Sequence, residues 1–150
     1  MMLGVNTITI DEKGRFLFPN KMRKIMENGE YVLTYGVEKC LQIMSLTDFE
    51  SMKTVLLKDA NPMLNKHSRE LLRRFIAPAI EVNLDKAGRL NIPRALRDGV
   101  GLFCKTEGVI LDSGPFFEIW SNANYRIMND NLDIEEASSA LFNIMNNESE

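Results

Sequence analysis

Asp11-Glu-Lys-Gly14-Arg15-Phe-Leu-Phe-Pro19-Asn-Lys-Met22-Arg23 decides the fold, because it returns 74 residues later as Asp85-Lys-Ala-Gly88-Arg89-Leu-Asn-Ile-Pro93-Arg-Ala-Leu96-Arg97. Asp, Gly, Arg, Pro and the closing Arg keep their spacing, as do the apolar pairs Phe16/Leu90, Phe18/Ile92 and Met22/Leu96. Such self-similarity marks two copies of one supersecondary unit. Asp and Gly a few residues apart make a tight turn, with Gly free to take a positive φ. Arg-Phe-Leu-Phe and Arg-Leu-Asn-Ile then alternate as short strands with apolar side chains on one face. Pro ends each strand and opens a helix, where its missing N–H costs nothing. The helices run from Asn20 to about Met26 and from Arg94 to about Val100, the second closing near Gly99 or Gly101. The Asp before each turn is placed to pair with the Arg after it, which would hold the arginine head in one place.

The likeness extends outward from the motif. Thr7–Ile10 and Ile80–Leu84 read as matching strands entering the two turns. Tyr31–Tyr35 and Cys40–Met44 make a hairpin, answered by Val109–Asp112 and Phe116–Trp120. A helix follows each hairpin: Leu46 to about Leu57, with Thr47 and Glu50 as a capping box, and Asn122 to about Asn131. Between the halves, Met63 to Ile76 is a further helix, with Leu64, Leu71, Leu72 and Phe75 on its apolar side. The expected organisation is one half over 5–51, a linking helical segment over 52–78, a second half over 79–126 and an acidic tail over 127–150. The tail can form an amphipathic helix through Ile134, Ala137, Leu141, Ile144 and Met145, with residues 146–150 disordered. Such a helix suits docking on a neighbouring subunit.

Charge is distributed unevenly. The chain of 150 residues is −3 overall, yet residues 129–150 hold six acids and no Lys or Arg, so the remainder is +3. Of 18 basic residues, 14 fall in Lys13–Lys24, Lys58–Arg74 and Lys86–Arg97, and two of those windows are the repeated motif. A localised basic stripe is the footprint of a phosphate-binding surface. Arg15, Arg23, Arg89 and Arg97 recur at fixed register, and arginine can clamp phosphate or read guanine O6 and N7. Lys13 and Lys86 lie in the turns and add phosphate attraction. The competing reading of Arg15 and Arg89 is a structural Asp–Arg bridge, and of Arg23 and Arg97 a solvated helix face.

Catalysis finds no foothold. His67 is the only histidine and sits in the basic middle helix. No Cys/His set has zinc spacing, and no glycine-rich phosphate loop occurs. Trp120 and Phe117 continue a strand pattern and read as core. No cofactor, metal or small-molecule substrate is expected. No apolar run is long enough to span a bilayer, and the first residues lack a signal peptide, so a cytoplasmic protein is expected. Cys40 and Cys104 read as small buried hydrophobes.

The paired D-x-x-G-R-φ-x-φ-P-x-x-φ-R blocks resemble the MraZ family, built from two fused SpoVT-AbrB-type halves. The Cys40-Leu41 hairpin, Arg69…Phe75…Ala79 and Glu118-Ile119-Trp120-Ser121 also match, and the likeness runs from Gly4 to about Arg126. The resemblance implies an α+β fold, with two intertwined AbrB-like, swapped-hairpin halves forming a small β-barrel flanked by helices. It implies a ring homo-oligomer, associated with the nucleoid, that binds short direct repeats in double-stranded promoter DNA. The genes it would regulate are the division and cell-wall cluster that includes its own. The family's motif Asp and Arg map onto Asp11/Arg15 and Asp85/Arg89, with Gly14 and Gly88 as the turn glycines beside them. Asn20 departs from the usual small residue, and Phe16 and Phe18 are bulkier than the common aliphatics; packing changes are expected from them. The acidic extension after Asn131 is expected to lie outside the resemblance. The alternative is an AbrB-like protein-interaction module, serving as an antitoxin or adaptor.

Overall fold

The computed structural model describes residues 4–59 and 61–148. In chain order the first half supplies β1 (Val5–Thr9), β2 (Arg15–Leu17), α1 (Asn20–Glu27), β3 (Tyr31–Tyr35), β4 (Leu41–Ser45) and α2 (Leu46–Thr54). A connector holds a π-helical turn over Val55–Asp59, α3 (Lys66–Leu71) and a second π-helical turn over Leu72–Ile76. The second half repeats the series as β5 (Ile80–Val82), β6 (Arg89–Asn91), α4 (Arg94–Val100), β7 (Glu107–Asp112), β8 (Phe117–Ser121) and α5 (Asn122–Asp130), and α6 (Ile134–Glu148) follows.

The halves are interleaved. A six-stranded antiparallel sheet runs β1-β7-β8-β4-β3-β5, and a separate ribbon pairs β2 with β6. β1 lies on β7 of the second half, and β5 lies on β3 of the first. Exchanging each element for its repeat mate reproduces the same strand order, so the chain has an internal pseudo-twofold. That axis passes through Phe16↔Leu90 in the ribbon and Gln42↔Glu118 in the sheet, which are the pairs formed by equivalent residues. The intertwined α+β architecture therefore holds, but the barrel does not. The hydrogen-bonded ladders end at β1 and β5, and the ribbon covers one face of an open sheet instead of closing it.

Alternation sorts side chains between two cores. Toward the ribbon, Leu41, Ile43, Ile110 and Ile119 of the sheet meet Phe16, Phe18, Leu90 and Ile92, with Met22 and Met26 of α1 and Leu96 and Val100 of α4 filling the flanks. Phe18 stacks on Phe16 at 5.4 Å between ring centroids and meets the edge of Phe117 at 5.7 Å. The opposite face carries Val32, Met44 and Phe49. There too Trp120 lies edge-on to Tyr125 of α5. Burying both faces explains why the successive residues Ile43 and Met44 of β4 are both apolar and buried.

Several helix boundaries differ from the sequence reading. Ser45, not Thr47, caps α2, its hydroxyl accepting the Asp48 N–H at 3.1 Å. Ser121 does the same for α5 with Asn124 N–H. A hydroxyl at the last strand residue meets the first free N–H groups two residues earlier than the Thr47/Glu50 box would. The middle helix starts at Lys66 because the Asn65 side chain accepts from His67 N–H at 2.9 Å and Ser68 N–H at 3.3 Å. Met63 and Leu64 stand outside it and are exposed, as is Leu71. Residues 146–148, expected to be disordered, continue α6; residues 149 and 150 lie outside the described residues.

Gly108 sits where the sheet has least room. It pairs with Ile8 on one side and Ser121 on the other, and a Cβ there would lie 2.5 Å from the Trp120 carbonyl oxygen and 3.1 Å from Leu102 Cδ2. Gly108→Ala is expected to destabilise the fold by about 1–3 kcal/mol in urea unfolding, because the obstructing atom is backbone.

Candidate nucleic-acid interface

The two motif turns are built alike. In the first, Asp11 Oδ1 accepts the N–H groups of Lys13 and Arg15, each at 2.9 Å. Asp11 N–H returns a bond to Arg15 O at 2.8 Å, and Gly14 N–H bonds Asp11 O at 3.1 Å. In the second, Asp85 Oδ1 accepts the N–H groups of Ala87 and Arg89, each again at 2.9 Å. Gly14 has φ +82° and Gly88 φ +84°, conformations that an L side chain resists. The aspartate replaces a backbone turn and fixes the direction in which the following arginine leaves it.

Each carboxylate is held below the ordinary aspartate range. For Asp11 the first cause is the Arg15 N–H bond, and for Asp85 the Arg89 N–H bond; the Arg15 charge acts on both. The side-chain pairing expected in both turns forms in one. Arg15 Nε meets Asp11 Oδ2 at 3.0 Å, whereas the Arg89 guanidinium makes no hydrogen bond or ion pair with a side chain of the described residues, only its backbone N–H reaching Asp85. Arg89 is exposed and its head is available.

The ribbon brings Arg15 and Arg89 to one surface. Arg15 faces Asn91 and Leu17 faces Arg89, which places all four on the outer side, while Phe16 and Leu90 are buried beneath. The two arginines are diagonal neighbours, about 7–8 Å apart between Cα atoms by ladder geometry. Lys13 and Lys86 stand exposed in the turns at opposite ends. From Gly14 to Phe18 the strip is about 13 Å long at about 3.3 Å per residue. A two-stranded ribbon fits the major groove, and this length spans about four base pairs.

Arg23 and Arg97 go elsewhere. Arg97, only 8% exposed, gives Nε to Ile92 O at 3.0 Å and Nη1 to Cys104 Sγ at 3.3 Å. Its guanidinium lies under Gly14 of the other half, so close that a Cβ on Gly14 would stand 2.7 Å from Arg97 Nε. Arg23 mirrors it, giving Nη2 to Phe18 O at 3.2 Å and filling the space under Gly88. Neither fits the competing reading of a solvated helix face, since Arg97 is buried and Arg23 half-buried. Cys104, expected to be buried, is half-buried and accepts from Arg97, while Cys40 is buried against Glu118; both are free thiols. Arg74 is likewise engaged, bonding Gly36 O and Glu38 O and lying 4.4 Å from the Tyr35 ring centre.

Sequence reasoning gave Leu17 and Asn91 no role. Their signal was the alternation itself, since they occupy the positions between the repeated apolar residues. Among the described residues, no group of three or more His, Cys, Asp or Glu is placed to hold a metal ion, and no helix is long and apolar enough to cross a membrane.

The fold and site define a class: a duplicated chain whose interleaved halves present two Asp-capped turns on one ribbon. The family model described as "MraZ protein, putative antitoxin-like" matches residues 1–74 and again 75–144. The chain is 35% identical over 142 residues to the transcriptional regulator MraZ of Treponema denticola, covering 93% of this chain and 96% of that one. To that of Alkaliphilus oremlandii it is 35% identical over 144 residues, with 94% and 96% covered. To that of Methylococcus capsulatus it is 37% identical over 123 residues, with 80% and 78% covered. The chain belongs to the MraZ family. The match reaches residue 144, so most of α6, expected to fall outside the likeness, lies within it.

Because both aspartates titrate below 3.8 in the folded chain, the unfolded chain takes up protons first as pH falls. Their stabilisation is therefore present above pH 3.8 and is withdrawn below it, through the lower folded values. Carboxyl titration by NMR is expected to put the midpoints of Asp11 and Asp85 both below 3.8, with the thermal midpoint falling across the same acid range.

Proposed function

We propose that this chain is a DNA-binding transcriptional regulator that presents the outer face of the β2·β6 ribbon to the major groove. The carrying observation is that the ribbon sets Arg15 and Arg89 as diagonal neighbours on its outer face, each leaving an Asp-capped turn. The relatives' name, transcriptional regulator, supports the role. In this reading Arg15 and Arg89 contact bases or phosphates, and Lys13 and Lys86 attract the backbone. Asp11, Gly14, Asp85 and Gly88 shape the turns, while Arg97 and Arg23 support those turns from below. The target is a set of short direct repeats upstream of the division and cell-wall gene cluster containing its own gene, in the cytoplasm at the nucleoid.

Assembly belongs to the same proposal. α6 exposes Ile134, Leu141, Phe142, Ile144 and Met145 beside Asp133, Glu135 and Glu136. The connector exposes Val55, Leu57, Met63 and Leu64 beside Lys58, Lys66 and Arg73. These two apolar faces carry opposite charge, and joining them head to tail between copies generates a ring when the rotation closes. A ring sets successive ribbons along successive repeats, and weak contacts then combine. The exposed α6 face and the family's antitoxin-like description favour a second reading, a protein-interaction module.

Fluorescence anisotropy on DNA from upstream of the gene, against scrambled DNA at two salt concentrations, tests the first reading. Wild type is expected to prefer the upstream DNA and to weaken as salt rises. Arg15→Ala and Arg89→Ala are each expected to cost about 1–3 kcal/mol per base contact while the thermal midpoint stays near wild type. Equal affinity for both DNAs would leave the interaction-module reading. For assembly, Leu141→Glu with Met145→Glu is expected to reduce the mass seen by light scattering to that of smaller species, since neither side chain is buried within one chain. An unchanged mass would remove α6 from the interface.

A further inference from the structure

We propose that Leu17 and Asn91 determine which bases the ribbon reads, and that the difference between them makes the read unit non-palindromic. The inference rests on the DNA-binding reading above. Positions 17 and 91 are equivalent under the internal pseudo-twofold that relates β2 to β6 about the Phe16↔Leu90 pair. Both side chains lie on the outer face between the two arginines, with Leu17 opposite Arg89 and Asn91 opposite Arg15. Leu17 is 56% exposed, although Phe16 and Phe18 on either side of it are 1% exposed. An apolar side chain left in water between two cationic residues adds little to folding. The same exposure suits contact with an apolar group on a ligand.

The chemistry of the two positions differs in the way base edges differ. In the major groove a leucine can meet only the thymine methyl group, whereas an asparagine amide can both accept from adenine N6 and donate to adenine N7. A ribbon with the same residue at both positions would offer the bases a twofold-related set of outward side chains and so favour a unit close to its own reverse complement. This one has arginines on one diagonal of the outer face and unlike residues on the other. The asymmetry is reinforced at the arginines, because the Arg15 guanidinium is bridged to Asp11 while Arg89 bonds Asp85 only through its backbone N–H. A chain that reads an asymmetric unit fits repeats running in one direction, one unit per subunit.

The test is selection of preferred sites from a randomised duplex library by the full chain and its variants, with circular dichroism to confirm folding. Wild type is expected to enrich a non-palindromic unit. Leu17→Asn and Asn91→Leu are each expected to change the preference at the facing base pair by roughly 5- to 100-fold and to move the unit toward a palindrome. Affinity for random-sequence DNA and its salt dependence should stay at wild-type values, which a merely structural role would not predict. The double exchange is expected to restore a non-palindromic unit. Should an exchange fail to fold, Leu17→Ala and Asn91→Ala serve in its place, with loss of preference at the facing base pair expected. If wild type enriches a unit and the variants enrich the same one, Leu17 and Asn91 do not read bases and the inference fails while the DNA-binding reading stands. If wild type enriches nothing, both fail.

Discussion

Each half's turn is shaped by an aspartate of its own and supported by an arginine from the other half. Arg97 lies beneath Gly14 and Arg23 beneath Gly88, and each also bonds a carbonyl just after its own strand, Ile92 O and Phe18 O. A guanidinium is costly to bury without partners, and its rigid set of donors suits a site walled by backbone carbonyls. Both glycines are needed twice over, for their positive φ and for the space an opposing arginine occupies. The geometry of either turn therefore depends on both halves being folded. The sheet makes the same demand, since β1 and β5 find their hydrogen-bond partners only across the repeat. Neither half can complete its ladders alone.

What could be read from the sequence follows from the range of each interaction. The turns, the Pro-opened helices and the two hairpins are local, fixed by residues within a few positions, and they stand where the repeat put them. The Asp–Arg pairing is nearly local and came out half right: one turn closes it and the other leaves Arg89 free. The fate of Arg97 could not be read locally, because its burial depends on a turn more than eighty residues earlier in the chain. Barrel closure failed for a related reason. Short alternating strands say which faces are apolar, but not whether the last strand reaches the first. Leu17 and Asn91 were written in the alternation all along, yet the pattern drew attention to the buried positions and passed over the ones between.

The connector shows how basic residues in a window can serve unrelated ends. Arg74 binds the Gly36 and Glu38 carbonyls and lies over Tyr35, and Arg69 bonds Pro62 O at 3.1 Å. The Arg74 clamp holds the segment between the halves against the first hairpin, where Thr34 also donates to Phe75 O at 2.7 Å, while the Arg69 bond braces the connector internally. A count of positive charge over Lys58–Arg74 therefore overstates the charge that faces a ligand. The ribbon is the opposite case. Its cations are few, but Lys13, Lys86 and Arg89 are exposed and Arg15 is held at the same surface.

Net charge is a poor guide to such a surface, and the layering of the fold says why. Alternation along β4 and β8 turns Leu41, Ile43, Phe117 and Ile119 toward the ribbon and sends Met44 and Trp120 to the other face, against α2 and α5. The acidic tail continues from α5 and is thus tethered on the side of the sheet away from the ribbon. A sheet with packed layers on both faces separates those sides by more than about 10 Å. At physiological salt, charges more than about 8 Å apart through solvent are largely screened. A ligand at the ribbon therefore meets the local cations and little of the distant acids. The same segregation bears on assembly. In the proposed assembly, an acidic, apolar helix tethered on that side would meet the basic, apolar connector of another copy without competing for the ribbon, and the charge that makes the chain acidic overall would join subunits without opposing the proposed DNA contact.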